Sequence, residues 1–576
     1  MANNFLKNIQ AVTYSLKILT TRFYSKPAHV TRINLNRNTN LDGDSLQVRF
    51  LKYIGISNVK DYNTEKAKIR YSDFFPITDP KILKQHISEV EINEFPTLLN
   101  YLYTYNTRVP PNNVLSCINL IEREICSKID MMTPKEMFNI LYAYMFVIPG
   151  FTSQLKFYEQ SVMKLSNTID DLSKEHLIQY TFYLGLSKQN NPELTNVLKN
   201  ILLIISDKHL NDLTIEELCI ITNAAFKMSV KINTIDLLNH ISKTLIEGLK
   251  QKKLDIPSII TLLKSLRISR YFSSELFKAL SEFIDNEASN LRVTAISHIL
   301  PYYADNYYMD EHIINILTTR FLQDLTNESS EMRLFETNNV RGKDLARFLW
   351  ALSYLGWSVD HKTHEELENI VLNKFNAGDY KNNTDDLFNL ALSFCTLNYI
   401  PKRLLRLITE SKIIKMKPNT ARAEERRALL CSILNIEHKN LFEEAPELVS
   451  YWNFIKNKHT EPLTTGRENL QKVLHVALTP DVGLTDLKLG CQIDFLNTPG
   501  ITATTASGKK IFIEVLDDSI CLKNTQSEPN GIMKLKLRLL DQISNNSTIL
   551  IKQSDVEGKD EEYIRKYLTN EISKFV

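Results

Sequence analysis

Between residues 90 and 400, apolar side chains recur at i, i+3, i+4 and i+7, and the whole block returns about every forty residues. Copies counted from Glu94, Thr133, Ser173, Thr214, Asp255, Arg292, Arg341 and Asn383 carry Leu98, Met137, Leu177, Leu218, Ile259, Ile296, Leu345 and Leu387 four residues on. Seven residues on stand Tyr101, Ile140, Tyr180, Ile221, Leu262, Ile299, Phe348 and Leu390. Eleven residues on stand Tyr105, Tyr144, Leu184, Ala225, Leu266, Tyr303, Leu352 and Phe394. Thr133, Ser173 and Thr214 are good helix N-caps, because a hydroxyl can accept from the free amides of the first turn. A second amphipathic stretch follows each first one, as over Leu194 to Ile205 and Ile235 to Leu249. A helical hairpin of this size cannot bury its apolar stripe alone, so stacked hairpins share a core. The pattern predicts an α-solenoid. Pro301 is expected to break one first helix early, and the polar stretch Thr326 to Glu331 is expected to form a loop.

The sixth residue of each copy borders the apolar stripe. The column reads Asn100, Asn139, Gln179, Ile220, Thr261, His298, Arg347 and Asn389, polar in seven of eight copies. Side chains that both donate and accept are what one-base-per-repeat RNA readers set against base edges. The column reads equally as the solvated face of an asparagine-rich chain. TPR-like protein binding also stays open, although the TPR period of about 34 does not fit.

After Thr464 the texture changes to α/β. Helices are expected over Glu468–Ala477, Gly531–Ile543 and Glu561–Phe575. Strands are expected over Cys491–Leu496, Lys510–Leu516 and Thr548–Ile551, where β-branched residues gather.

Composition agrees with a mainly helical chain, with only 15 Gly and 18 Pro in 576 residues. Net charge is +2, so any nucleic-acid surface must be local. The seven cysteines form no C-x-x-C pair and fit neither a disulfide framework nor a zinc site; a reducing compartment, no metal and no cofactor are expected. No run of 18 apolar residues occurs, so no membrane insertion is expected. Residues 1–41 hold Lys7, Lys17, Arg22, Lys26, Arg32 and Arg37 and no acidic residue. An amphipathic, acid-free start is the signature of a mitochondrial transit peptide, with a cut before Ser25; a basic tail is the plainer alternative. Residues 401–463 read as a linker with some helix. Their basic run, which includes Arg422, Arg426 and Arg427, either contacts phosphate or is a solvated surface.

The block Ile493-Asp494-Phe495, then Phe512-Ile513-Glu514-Val515, then Lys534 and Lys536 with Arg538-Leu539-Leu540, then Tyr567-Leu568, resembles the RAP domain. That domain ends FAST-kinase-like and apicomplexan organellar proteins, usually after helical repeats. The resemblance covers about residues 464–576. It implies a small fold like PD-(D/E)xK nucleases and a role in organellar RNA metabolism. It makes Asp494 and Glu514 the matching carboxylates, on adjacent strands, where active nucleases hold a divalent metal. Leu516 stands where the E-x-K lysine belongs, and Lys534 or Lys536 is the candidate substitute. The alternative is that both carboxylates are polar remnants at strand ends.

The expected order is therefore a transit peptide at 1–24, an extension at 25–89, the solenoid at 90–400, the linker at 401–463 and a RAP-like domain at 464–576. The expected function is binding of mitochondrial RNA, ribosomal RNA foremost, in the matrix, with mitoribosomal proteins as further partners. A metal-dependent endoribonuclease and a protein-binding scaffold are the alternatives.

Overall fold

The computed structural model describes residues 46–58, 80–105, 111–148, 150–187, 191–330, 340–410, 412–456, 467–544 and 547–575. The expectations for residues 1–41 and for cleavage before Ser25 lie outside them. The protein is mainly helical with one small mixed sheet near its C-terminus, and it divides into two compact units after residue 188.

The first unit holds α1 (Leu46–Asn58), α2 (Pro80–Ser88), α3 (Phe95–Tyr105), α4 (Pro111–Ser127), α5 (Pro134–Val147), α6 (Lys156–Ser166) and α7 (Lys174–Leu184). Helix α3 packs on α5, and α4 packs on both α2 and α6. Thr133 caps α5 through a reciprocal box with Glu136, and Ser173 caps α7.

In the second unit the helical hairpins continue as α8 (Pro192–Lys208), α9 (Ile215–Lys227), α10 (Ile235–Lys250), α11 (Ile256–Ile268), α12 (Ser274–Glu287), α13 (Val293–Asp305) and α14 (Glu311–Ser330). Next come α15 (Gly342–Leu355), α16 (His361–Asn376), α17 (Asp385–Thr396), α18 (Lys402–Glu410), α19 (Ala421–Glu437), α20 (Lys439–Glu443) and α21 (Pro446–Lys456). Helices α9, α11, α13, α15, α17 and α19 pack each on the next, and the second helices α10, α12 and α14 form a parallel row. Across both units, seven of the eight repeat references directly precede a helix; at the eighth the cap is Thr384, one residue after Asn383.

The first helices of the second unit share their ends as well. Ser229, Arg270, Tyr307, Gly356 and Asn398 follow α9, α11, α13, α15 and α17 with φ between 52° and 64°. The next amide (Val230, Tyr271, Tyr308, Trp357, Tyr399) reaches back 2.8–3.0 Å to the carbonyl of Ala225, Leu266, Tyr303, Leu352 or Phe394. This left-handed cap closes the orphan carbonyls and tucks an apolar residue against the last turn. The accepting carbonyls all belong to the eleventh-residue column.

Three expectations change. Pro301 does not end its helix but lies buried inside α13, which is packed by α11 and α15; that packing offsets a ring whose missing amide costs about 3 kcal/mol in an isolated helix. Residues 326–330 continue α14 instead of opening a loop. The stretch expected as a linker is largely helical, and α19 packs on α17 as α17 does on α15.

The C-terminal part runs α22 (Glu468–Ala477), β1 (Leu484–Gly490), β2 (Gly500–Thr505), β3 (Lys510–Leu516), α23 (Gly531–Ser544), β4 (Thr548–Lys552) and α24 (Glu561–Ser573). The sheet order is β1-β2-β3-β4, antiparallel except for the parallel β3–β4 pair, whose crossover is α23. Ile501, Ala503, Ile511, Ile513, Val515, Ile549 and Ile551 pack under α22 and α24. The strand expected over 491–496 is a turn, and its neighbours β1 and β2 form the hairpin instead. Helix α23 lies across α15, α17 and α19. Gly531 makes the closest approach, since a Cβ there would sit 1.6 Å from the Ser353 carbonyl oxygen.

Candidate nucleic-acid interface

The polar column is not one surface. Asn100 is exposed and Asn139 half-buried in the first unit. Gln179, Ile220, Thr261 and His298 are buried. The Gln179 amide lies 3.5 Å from the Tyr183 hydroxyl, and the Thr261 hydroxyl donates to Pro257 at 2.8 Å. Gln179, Thr261 and His298 therefore serve the fold; at Thr261 and His298 the helices on either side close over this edge of the stripe. Arg347 and Asn389 remain half-buried and face a cleft.

That cleft has a volume of about 640 Å³ and lies along α11, α13, α15, α17 and α19. Six cations line it (Arg267, Arg341, Lys343, Arg347, Arg422, Arg426) against three carboxylates, Asp305, Asp379 and Asp386. Thr420 caps α19 by accepting from the Ala423 amide at 3.1 Å, which makes it the reference of a ninth copy. Arg426 is then the sixth residue, and its guanidinium donates to Asn389 Oδ1 at 3.0 Å. Arg347, Asn389 and Arg426 are thus the same position on three successive helices. Arg427 is the seventh residue, the place of the apolar stripe. It is buried, paired with Asp385 and stacked 4.0 Å from the Phe388 ring, so it holds helices together and does not meet a ligand.

The cleft cations are incompletely neutralised. Arg341 and Arg347 share the buried Asp344 at 2.6 and 3.4 Å, with the Ser297 hydroxyl also on that carboxylate. Arg267 pairs with Asp305 at 3.4 Å. Lys343 and Arg422 make no ion pair among the described residues. Beside them Lys264 is pushed down to about 8 by burial and by Arg347, Arg267 and Arg341. His298 is held well below its ordinary value by burial and then by Lys264, so it stays neutral. Half-buried guanidinium groups in excess of carboxylates are short of anions, and a phosphate supplies them bidentately.

The carboxylates of the C-terminal α/β part are arranged differently. Asp494 lies in the 491–499 turn, half exposed, 3.0 Å from Lys456, and its backbone carbonyl accepts from Ser432. Glu514 is fully buried on β3, paired with an equally buried Lys536. Arg467 stands 3.6 Å from Glu514 and 3.0 Å from Asp517. Asp494 and Glu514 are therefore not neighbours on adjacent strands, and they engage different cations. Gly500 is squeezed against Glu514 Oε1, where a Cβ would come within 1.9 Å. Two cations and a backbone fill the space a metal would need, so these residues do not fit a divalent ion. Among the described residues no three His, Cys, Asp or Glu side chains converge.

Lys534 points away from Glu514. It pairs with Glu528 at 2.5 Å and lies 3.5 Å from the Gly356 carbonyl at the end of α15. Four residues on, Arg538 donates to the Cys395 carbonyl at 2.7 Å and to Glu437, closing the C-terminus of α17. A cation suits that negative helix end. Lys534 and Arg538 thus dock the domain, while Lys536 on the other face of α23 serves its core. Sequence reading missed Arg267, Arg341 and Lys343. A search for cations at helix ends along the inner row would have found them. No protein-family model and no curated protein matches the chain.

Proposed function

We propose that the protein binds single-stranded RNA in the cleft of α11–α19. The observation that supports this is the convergence of Arg347, Asn389 and Arg426, with Arg267, Arg341, Lys343 and Arg422 around them, on one open cleft with more cations than carboxylates. Phosphates take the guanidinium groups, and Asn389, whose oxygen already accepts from Arg426, keeps a second lone pair for a base edge. In this reading the helix pairs are an α-solenoid of ~40-residue hairpins, and residues 464–576 are a RAP-like domain related to PD-(D/E)xK nucleases. The acid-free start and the resemblance support a role on mitochondrial RNA in the matrix, ribosomal RNA foremost, in assembly or structure of the mitoribosome. Binding without cleavage is favoured over a metal-dependent nuclease because Glu514 is closed off by Lys536, Arg467 and Gly500.

The test is fluorescence anisotropy of labelled oligouridylate with the purified chain across a salt series. Tight binding that weakens linearly in log salt, and that Arg347→Ala with Arg426→Ala diminishes, supports the reading. Oligouridylate that fails to bind, with a polyglutamate peptide binding in its place, overturns it in favour of the protein scaffold. Magnesium-dependent cleavage lost in Asp494→Ala with Glu514→Ala overturns it in favour of the nuclease.

A further inference from the structure

The basic cleft does not end at α19. Arg422 and Arg426 also edge a second open cavity of about 430 Å³, between the helix row and the C-terminal α/β part. Its size falls within the range of about 300–1,000 Å³ usual for small-ligand pockets. Its character differs from that of the first cleft. Tyr307 and Tyr354 enter from the ends of α13 and α15, and Phe495 enters from the 491–499 turn. Asn497 adds an amide at the wall, while Asn530 beside it is buried and caps α23 by accepting from the Met533 amide at 2.9 Å.

Phe495 is held at φ 64°, a left-handed conformation that is strained for a bulky residue. Its ring is fixed edge-on against Trp452 at 5.2 Å. No helix end requires this conformation, unlike that of Tyr307, which belongs to the shared left-handed caps. The turn is anchored from outside by the Ser432 hydroxyl on the Asp494 carbonyl at 2.7 Å. The domain is thus clamped where it closes an aromatic chamber beside two arginines.

We infer that this chamber takes one nucleobase pulled out of the RNA stack, with the adjoining phosphate held at Arg422 and Arg426. The inference rests on the reading of the cleft as an RNA site. Aromatic walls accept any base by its faces, Asn497 meets its edge, and the shared arginines keep the backbone continuous between the two cavities. Because the walls come from both parts, neither the helix row nor the C-terminal domain makes this contact alone.

The experiment uses the full chain and oligouridylate carrying a single 5-iodouridine or a single abasic nucleotide, moved along the strand. Irradiation should crosslink one position to Tyr307, Tyr354 or Phe495. An abasic nucleotide at that position should weaken binding roughly five- to hundred-fold. Phe495→Leu and, separately, Tyr354→Leu should abolish that abasic penalty while each melts as the parent does. If Phe495→Leu unfolds, Tyr354→Leu carries the comparison by itself. Oligouridylate bound with normal salt dependence but with no sensitive position and no such crosslink overturns the chamber and leaves the cleft standing. Loss of all binding to oligouridylate overturns both.

Discussion

The cluster around Glu514 and the cleft around Arg347 are built from the same side-chain types and are arranged in opposite ways. At Glu514 the charges are balanced and fully buried, with Lys536 and Arg467 on one carboxylate and Asp517 beside it. Burial pushes Glu514 up and Lys536 down, and their mutual attraction opposes both shifts. At Arg347 the one fully buried carboxylate, Asp344, is shared between two arginines, and the remaining cations face an open cleft. The difference teaches that charge balance against burial, more than residue identity, separates a structural ion pair from a binding site.

The largest expected effect breaks the first region. Lys536→Ala strands a buried carboxylate and should cost about 3–5 kcal/mol in urea denaturation, whereas Glu514→Gln with Lys536→Met should recover most of it. A loss under 1 kcal/mol in the single variant would put the pair in solvent. Gly500→Ala comes next. Its Cβ collides with Glu514, and about 1–3 kcal/mol should be lost with the RNA salt slope unchanged.

In the second region the readout moves from stability to affinity. Arg347→Ala with Arg426→Ala should lower the slope of log affinity against log salt by about two, one per phosphate contact. Melting should move little, because Arg341 still holds Asp344. An unchanged slope would mean that these arginines are structural, like Arg427.

The smallest effect is a pH dependence. Lys264 has its folded value lowered to about 8, below the ordinary lysine value, so the unfolded chain binds more protons between the two and stability should rise slightly with pH there. Binding runs the other way. Phosphate favours the charged amine, so affinity should be steady below pH 8 and fall above it. His298 is already neutral, so Lys264→Met should flatten the profile. A profile that keeps its fall in Lys264→Met assigns the titration elsewhere.

Much of the helix row was legible because its signal is local. Apolar spacing and caps such as Thr133 and Thr214 depend on residues within one turn, and they located helix starts well. Lys510–Leu516 was legible for the same reason. The 491–496 segment was not, because its alternation resembles a strand while pairing is decided by β2 and β3 meeting each other. The polar column was half legible. Its spacing is in the sequence, but whether Gln179 or Asn389 meets solvent depends on how far the neighbouring helices close over it. Arg427 shows the limit, since the basic run marks it as surface and the ninth repeat places it in the stripe.

The sequence by itself determined that the chain is mainly helical, where most of the helices start, the cap chemistry and the change to α/β near the C-terminus. Each follows from backbone propensity and amphipathic spacing, which act over a few residues. Only the tertiary structure decided which cations gather and which are spent. Arg267, Arg347 and Arg426 are far apart in the chain and meet because inner helices stack. Lys534 and Lys536, two residues apart, point to opposite faces of α23 and are claimed by a helix end and by a buried glutamate. Desolvation and pairing are settled by what lies across the gap, and the chain alone does not say what that is.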